Sequence, residues 1–470
     1  MSGVVLLRVD RANGSEGHPR HVHPALDLKY VQAGLQVAGC PSVPIVDGWR
    51  DGGGPASWVA QALRHAPRVV AIKAASWCLS EATECAAALK RHGVTTVAIG
   101  QQVEHRQRLR DPRWMAAFDV ALLGEPEQEL TRCIAGLLAG NPDRAHLLEH
   151  YRAAFEAGRR FQVADPAVLP RPAFDAGELA AYPFPFPVAA APLHRWGYAM
   201  TAWGCPHACL HCTAIVRKST QRGLQKRAPR DVADEVAGLL ERGAQAISFE
   251  DDTLFADGRH FLALCEEFAR RRLIFRWMAN ARPDELDDAL LRAAVESGGC
   301  CLKVGVETGV PRLIEALGKA RCGERWLART EAGFAALRRH GMASVALFMV
   351  GLPGETEPDV DQSIRLALRI APDYVQVQQF TAYPDIGLWT RAASAGDPDA
   401  LYHYGAAADF PARMQRRFYR RFYLRPRFVF AHAVRYWRHY LHPAGQGASA
   451  RALRFIVPFG KRTAASFRSR

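Results

Sequence analysis

Three cysteines, Cys205, Cys209 and Cys212, stand in one short run, Thr201-Ala-Trp-Gly-Cys-Pro-His-Ala-Cys-Leu-His-Cys212, at the spacing C-x3-C-x2-C. Cysteine thiolates hold iron–sulfur clusters, and a cubane takes four ligands. Three thiolates on one loop leave one iron open to a substrate or cofactor. The other chemistry open to this set is a structural zinc site with His207 or His211 as fourth ligand. The two readings ask different things of the rest of the chain. A zinc knuckle needs nothing from distant residues, whereas an open iron needs groups elsewhere to hold what binds it.

Those groups must be delivered by regular elements. From about residue 197 the chain alternates strand and helix six times. Strands are expected at 197–202, 246–249, 276–279, 301–306, 344–350 and 374–380, each apolar and short. Pro229 opens a helix with Val232, Val236, Leu239 and Leu240 on one stripe. A second helix carries Phe261, Leu264, Cys265 and Phe268 on one face. Six such units predict a partial (β/α) barrel, and barrels gather their chemistry at the C-terminal ends of the strands. The first strand delivers the cysteine loop. The second ends in Phe249-Glu-Asp-Asp-Thr253, so Glu250, Asp251 and Asp252 offer acceptors for an ammonium. The third ends in Met278-Ala-Asn-Ala-Arg282, the fourth in Val304-Gly-Val-Glu-Thr-Gly309, and the fifth in Phe348-Met-Val-Gly-Leu-Pro-Gly-Glu-Thr356. Gly351 and Gly354 let the backbone approach a neighbouring group closely. The sixth ends in Gln378-Gln-Phe-Thr-Ala-Tyr-Pro-Asp-Ile-Gly387.

Taken together, the cysteine run and these strand ends resemble the radical S-adenosylmethionine (SAM) superfamily over about residues 195–395. The resemblance implies a [4Fe–4S] cluster on Cys205, Cys209 and Cys212, with the open iron chelated by the amino and carboxylate groups of SAM. An electron then splits SAM into methionine and a 5′-deoxyadenosyl radical. It implies that Glu250, Asp251 and Asp252 hold the SAM amino group, and that Asn280 and Arg282 reach methionine or substrate. Glu307 would hydrogen-bond the ribose or amino-acid portion, Gly351 and Gly354 would lie beside adenine, and Gln378 leads into a loop that faces substrate. Lys319 sits where a lysine follows in many relatives. His211 replaces the usual aromatic residue before the third cysteine, where imidazole can stack similarly. Pro384-Asp385-Ile386 replaces the usual Pro-Gly-Thr. No catalytic acid, base or nucleophile is assigned.

Upstream, residues 1–140 alternate strand and helix as a doubly wound parallel sheet does. Apolar runs fall at 4–9, 43–46, 69–72, 95–99 and 119–123, and Leu26, Tyr30, Ala33 and Val37 mark a helical stripe. Ligands are expected beyond the carboxyl ends of such strands. The order resembles the cobalamin-binding domain that precedes the barrel in many radical SAM enzymes. Asp119-Val-Ala-Leu-Leu-Gly-Glu-Pro-Glu-Gln-Glu-Leu130 is its most family-like piece. The Gly-Gly pair often seen after the fourth strand is here Gly100-Gln101. The D-x-H signature is missing, because Asp10 is followed by Arg11 and Ala12. A Rossmann-like domain without a ligand is the alternative.

The architecture expected is therefore α/β throughout. It consists of a Rossmann-like domain of cobalamin-binding type over residues 1–145, a proline-rich linker over 146–194, a partial (β/α)6 radical SAM barrel over 195–395 and a basic helical region over 396–470. The linker alternates proline with aromatics at Tyr182-Pro-Phe-Pro-Phe-Pro-Val188, which favours an extended strap. The net charge of +14 is concentrated in the last region: residues 411–470 hold fifteen Arg plus Lys and no Asp or Glu, leaving −1 for residues 1–410. An anionic membrane surface, RNA, or an acidic substrate or carrier would suit that tail, as would a helical cap with solvated arginines. Strand alternation, the mark of an appended RNA-binding barrel, is missing there, so a nucleic-acid partner is not expected.

Eleven cysteines, odd in number and irregularly spaced, do not read as a disulfide framework. Cys300, Cys301 and Cys322 read as buried structural thiols. No apolar run approaches the roughly 18 residues of a membrane span, and the N-terminus lacks an export pattern. The expected compartment is the cytoplasm, with a reductant such as flavodoxin or ferredoxin as partner. The activity the resemblance implies is cobalamin-dependent methylation of an unactivated carbon, or phosphorus, in a small molecule or natural product. A cobalamin-linked radical cyclase or rearrangement enzyme and a tRNA-modifying radical SAM enzyme are the rivals. A non-enzymatic cobalamin or redox sensor has no use for the strand-end motifs.

Overall fold

The computed structural model describes residues 3–10, 23–74, 78–100, 103, 112–125, 127–139, 144–163, 165–184, 186–189, 192–212, 223–380 and 409–441, with side chains of the last helix through 435. The Tyr383–Gly387 loop, the residues after Asp10, Gln101 and the tail beyond residue 441 lie outside them. The chain divides into two compact units, one built mainly from residues up to Ala173 and the other beginning at Phe174.

The first unit is a five-stranded parallel sheet of β1 (Val4–Val9), β2 (Ile45–Asp47), β3 (Val69–Ala74), β4 (Thr95–Ile99) and β5 (Val120–Ala121), in the order β2-β1-β3-β4-β5. This is a flavodoxin-like order, whose switch point lies between β1 and β3. Its strands are near-continuous Val/Ile/Leu/Ala runs because helices cover both faces. Helix α1 (Leu26–Val37) turns Leu28, Val31 and Leu35 into the core. Of the stripe expected from its sequence, Val37 is instead 77% exposed. The spacing i, i+3, i+7 from Leu28 is the one that faces the sheet. The fifth strand also ends earlier than its apolar run. After Ala121 the chain leaves the sheet, and Leu123–Gly124 pairs with Arg160–Phe161. Gly124 is required there: its φ is +91°, and a Cβ would lie 2.3 Å from the Phe161 carbonyl oxygen.

The second unit is a six-stranded parallel sheet of β6 (Trp196–Ala199), β7 (Ala246–Phe249), β8 (Arg276–Ala281), β9 (Gly299–Glu307), β10 (Ala343–Val350) and β11 (Tyr374–Gln379), each paired with its sequence neighbour. Among the described residues the sheet does not close, so β6 and β11 are its edges, as a partial barrel demands. The helices between strands form where the pattern places them. In α2 (Pro229–Glu241) Val232, Val236 and Leu239 are buried, while Leu240 is half-buried. In α3 (Gly258–Arg270) Phe261, Leu264, Cys265 and Phe268 all face inward, and Asp257 caps the start by accepting from Arg259 N and His260 N, both at 3.1 Å. After β7, β8, β9 and β10 come α3, α4 (Asp288–Glu296), α5 (Gly323–Arg339) and α6 (Glu357–Ile370). Cys300 and Cys301 are buried in β9, and burial pushes both thiols up, Cys300 to about 12. Cys322 is exposed, contrary to the expectation, because it precedes α5 outside the sheet.

Both edges are covered. The aromatic–proline strap runs from one to the other: Tyr198 of β6 donates to the Tyr182 carbonyl at 2.5 Å, and Tyr374 of β11 donates to the Pro187 carbonyl at 2.6 Å. Phe186 stacks on Tyr374 with ring centroids 4.4 Å apart. Along β11 lies α7 (Phe410–Tyr423), the first helix of the basic region, followed by α8 (Pro426–Leu441). The Tyr423 hydroxyl accepts from Val375 N at 3.0 Å and donates to Val375 O at 2.7 Å. Tyr419 does the same for Val377, at 3.0 and 3.1 Å. Two side chains thus satisfy the edge groups that a further strand would pair.

Candidate active site at the strand ends

The cysteine loop is fixed before its first cysteine. Asp251, just past the end of β7, accepts from Thr201 N at 3.0 Å, Thr201 Oγ1 at 2.7 Å and Ala202 N at 2.7 Å. Burial pushes its carboxyl up to about 6, and these three donors pull the other way. Both its oxygens are engaged in tying the start of the loop to the neighbouring strand end. Asn280 extends the tie by donating from Nδ2 to the Asp251 carbonyl at 2.8 Å. Glu250 points differently: it accepts from Ser248 Oγ at 2.5 Å and lies 3.9 Å from the buried Lys303 ammonium. Asp252 is half-buried.

A second tie holds the middle of the loop. His207 Nε2 lies 2.9 Å from Glu285 Oε1, while Glu285 Oε2 accepts from Thr253 Oγ1 and, at 3.3 Å, from Arg282 N. Glu285 therefore joins the loop to the ends of β7 and β8. It escapes a motif reading because it lies three residues beyond Arg282. The signal that could have found it is the acid at the third position of a turn opened by Pro283.

Charge collects around the buried Cys209. Arg282 donates from Nη1 to Cys209 Sγ at 3.4 Å, and Nε and Nη2 each lie 2.9 Å from an oxygen of Asp284. Its guanidinium lies over Trp326, 4.9 Å from the ring centroid, and Lys319 Nζ approaches the same ring at 5.5 Å. Lys319 pairs with Glu307 at 2.7 Å. Burial alone would raise the Glu307 carboxyl, but the groups around it, Lys319 first among them, together outweigh this and hold it below the usual range. Glu307 also has a φ of +71°, rare for a non-glycine residue, where the β9–β10 register slips. A buried side chain at a strained strand end is a frequent mark of function. His211, with a 9% exposed side chain, lies 3.4 Å from the Leu317 carbonyl through Nδ1 and 3.9 Å from Glu307 through Nε2. Burial lowers its pKa, which favours neutral imidazole.

The remaining candidates stand on the next two strand ends. Gly351, φ +82°, donates its N–H to Glu355 Oε2 at 2.6 Å, and Leu352 N donates to the same oxygen at 3.2 Å. A Cβ on Gly351 would lie 2.8 Å from Pro411 at the start of α7, whereas Gly354, φ +71°, faces open space. Gln378 is exposed on β11, opposite Met349. Cysteine loop, carboxylate end, charged end and glycine turn thus occupy successive strand ends of one sheet.

The family model of the radical SAM superfamily matches residues 202–367, from the cysteine loop into α6. The chain carries a radical SAM domain. A relative of this domain is an uncharacterized methyltransferase of Pyrococcus horikoshii, 26% identical over 249 residues, which cover 49% of this chain and 52% of that protein. The anaerobic magnesium-protoporphyrin IX monomethyl ester cyclase of Rubrivivax gelatinosus is 25% identical over 188 residues, 39% of this chain and 32% of that enzyme. The chain thus matches about half or less of the length of these curated relatives. Among solved structures, the radical SAM methyltransferase TsrM of Kitasatospora setae, with cobalamin and a [4Fe–4S] cluster bound, has a TM-score of 0.63 at 16% identity. That likeness in fold covers 89% of this chain and 85% of that one.

The donor set of the radical SAM domain suits a cluster. Of its three thiols, Cys209 is buried and Cys205 and Cys212 are half-buried, and a guanidinium donates to the Cys209 sulfur. Among the described residues no three His, Cys, Asp or Glu side chains gather around one metal-ion position. Cubane thiolates each bind a different iron and need no such convergence. In the first unit, Asp10 stands where the missing signature would begin. Arg8 holds it at 2.8 Å and Asp47 at 3.4 Å.

Proposed function

We propose that this chain is a cobalamin-dependent radical SAM methyltransferase acting on an unactivated carbon, or phosphorus, of a small molecule. The observation that carries the reading is the pairing, in one chain, of a flavodoxin-like sheet with a radical SAM domain whose strand ends present a fixed three-cysteine loop. The TsrM likeness supports it by extending over both sheets. When bound, the cluster supplies the electron that cleaves SAM, and cobalamin supplies a carrier for a methyl group.

In this reading Cys205, Cys209 and Cys212 hold the cluster. Asp251 and Glu285 hold the loop itself, and Glu250 and Asp252 beside them offer carboxylates to the SAM ammonium. Glu307 offers a carboxylate to the SAM ribose or amino-acid portion. Asn280 and Arg282 line the methionine side, and Gly351 and Gly354 let the backbone lie along adenine. Gln378 faces substrate. A flavodoxin or ferredoxin delivers the electron. An unactivated carbon has no lone pair with which to attack a sulfonium methyl, so two SAM molecules with separate fates are needed.

The test is anaerobic turnover of the reconstituted enzyme with SAM deuterated in its methyl group. Expected are S-adenosylhomocysteine and 5′-deoxyadenosine in near-equal amounts and a CD3 group in the product. Formation of 5′-deoxyadenosine alone, with unlabelled product, overturns methylation. That outcome would favour the cyclase reading, which the Rubrivivax relative supports.

A further inference from the structure

The geometry points to Arg282 as the residue that sets the reduction potential of the cluster, acting through the sulfur of Cys209. This rests on the reading that Cys209 is a cluster ligand. Arg282 is 7% exposed and held on every side. Its Nε/Nη2 edge faces Asp284 at 2.9 Å on both contacts, Nη2 also donates to the Lys319 carbonyl at 3.2 Å, and its plane lies over Trp326. The remaining nitrogen, Nη1, is the one that reaches Cys209 Sγ, at 3.4 Å. An arginine gripped in this way loses little freedom on making that bond, because its planar fork is already oriented.

The arrangement is polar in a definite direction. Asp284 sits on the edge away from the sulfur, so the pair presents its positive end to Cys209. Lys319, the other buried cation nearby, is matched by Glu307 at 2.7 Å. Arg282 is thus the cation placed to act on the ligand sulfur directly. Reduction adds one negative charge to a cluster and its thiolates. A charge-assisted donor aimed at a ligand sulfur stabilises the reduced form more than the oxidised one and raises the potential. The effect is strongest where water is excluded, as it is around Cys209 and Arg282. Arg282 is therefore a positioning residue: it governs how readily a weak biological reductant loads the electron, without touching the bond that breaks.

The experiment is a redox titration of the reconstituted full-length protein followed by electron paramagnetic resonance, with iron and sulfide counted in each sample. R282M and R282Q both remove the charge, and neither shorter side chain places a donor where Nη1 stands. In each the midpoint potential should fall, so that at a fixed reducing poise the reduced-to-oxidised ratio drops about tenfold or more in R282M. R282K, which keeps the charge, should lie nearer wild type. A wild-type potential in either neutral variant at full iron content overturns the inference. A second measurement needs no variant: the reduced wild-type cluster should show an exchangeable proton coupled to it by electron–nuclear double resonance. Its absence overturns the inference as well. A wild-type protein that assembles no cluster at all would instead sink the functional reading above.

Discussion

Glu355 shows how one carboxyl can couple the glycine turn to pH. Its Oε2 takes the N–H groups of Gly351 and Leu352, Oε1 has no partner among the described residues, and burial pushes the group up to about 7 from 4.5. A carboxyl raised on folding binds its proton more tightly in the folded state. Its stabilising contribution is therefore full below about pH 4.5 and lost as pH rises through about 7. Gln in its place keeps an acceptor for the two N–H groups and does not titrate. Relative to E355Q, the wild type should lose up to about 3 kcal/mol between pH 5 and pH 8, read by denaturant unfolding at each pH. A pH-independent difference would show that the carboxyl stays ionised. The cysteines give the plainer test at this scale: replacing Cys205, Cys209 and Cys212 together by Ala should abolish iron and sulfide binding and the spectral response to SAM. Stoichiometric zinc without iron in anaerobically purified wild type would return the loop to a structural role.

At the scale of elements, the notable pairing is α7 against β11. An open sheet of six strands leaves one face of its last strand unpaired, a template for adding another chain. Here Tyr419 and Tyr423 each return an acceptor and a donor to one residue of that strand, and Gln415 Nε2 adds a bond to Val377 O at 2.7 Å. Phenylalanine at 423 keeps the ring and strands two buried backbone groups. Y423F should cost roughly 2–4 kcal/mol at about 1–3 for each unsatisfied group, softened by any water that enters. Equilibrium unfolding measures the loss, and a change below about 0.5 kcal/mol would mean that the bonds are replaceable. Much of the basic character of this helix is also spent locally. Arg417 and Arg421 pair with Asp361 of α6 at 2.6 and 2.8 Å, and Arg417 reaches Glu357 at 3.0 Å. Exposed pairs of this kind contribute little each, but they orient α7 along the barrel helix.

For the molecule as a whole, the charge that remains is the question. Arg416, Arg420 and Arg427 are exposed, beside the exposed apolar Leu424 (55%), Phe430 (72%) and Val434 (59%). The last 29 residues of the sequence, 442–470, add six more cations and no acid. If this region meets an anionic surface, deleting residues 445–470 should weaken binding to anionic vesicles while leaving the iron content intact. The difference should shrink with salt, since exposed charges are screened beyond about 8–10 Å at ordinary ionic strength. Unchanged binding together with lost folding would identify the tail as a packed cap. No helix among the described residues is long and apolar enough to cross a membrane. The first unit makes its own prediction. With Asp10 locked to Arg8 and no D-x-H histidine, cobalamin bound there should show a cobalt(II) resonance without strong nitrogen hyperfine structure. Strong coupling would contradict it.

The amino-acid sequence by itself determined the order of strands and helices in both sheets, the cysteine triad and the rank of chemical groups at the strand ends. These are local properties: periodicity over ten or so residues and motifs of a dozen. What the tertiary structure decided is which partner each of those groups takes. Asp251 and Glu250 are neighbours with the same chemistry, yet one is consumed by Thr201 and Ala202 while the other faces Lys303. Arg282 meets Cys209 across 73 residues, and Tyr423 meets Val375 across 48. Val37 fits a helical stripe and ends in solvent, because a stripe gives a direction and only packing says what lies there. A side chain's type sets the bonds it can make, but its partner is settled when distant segments close on each other and water is driven from between them.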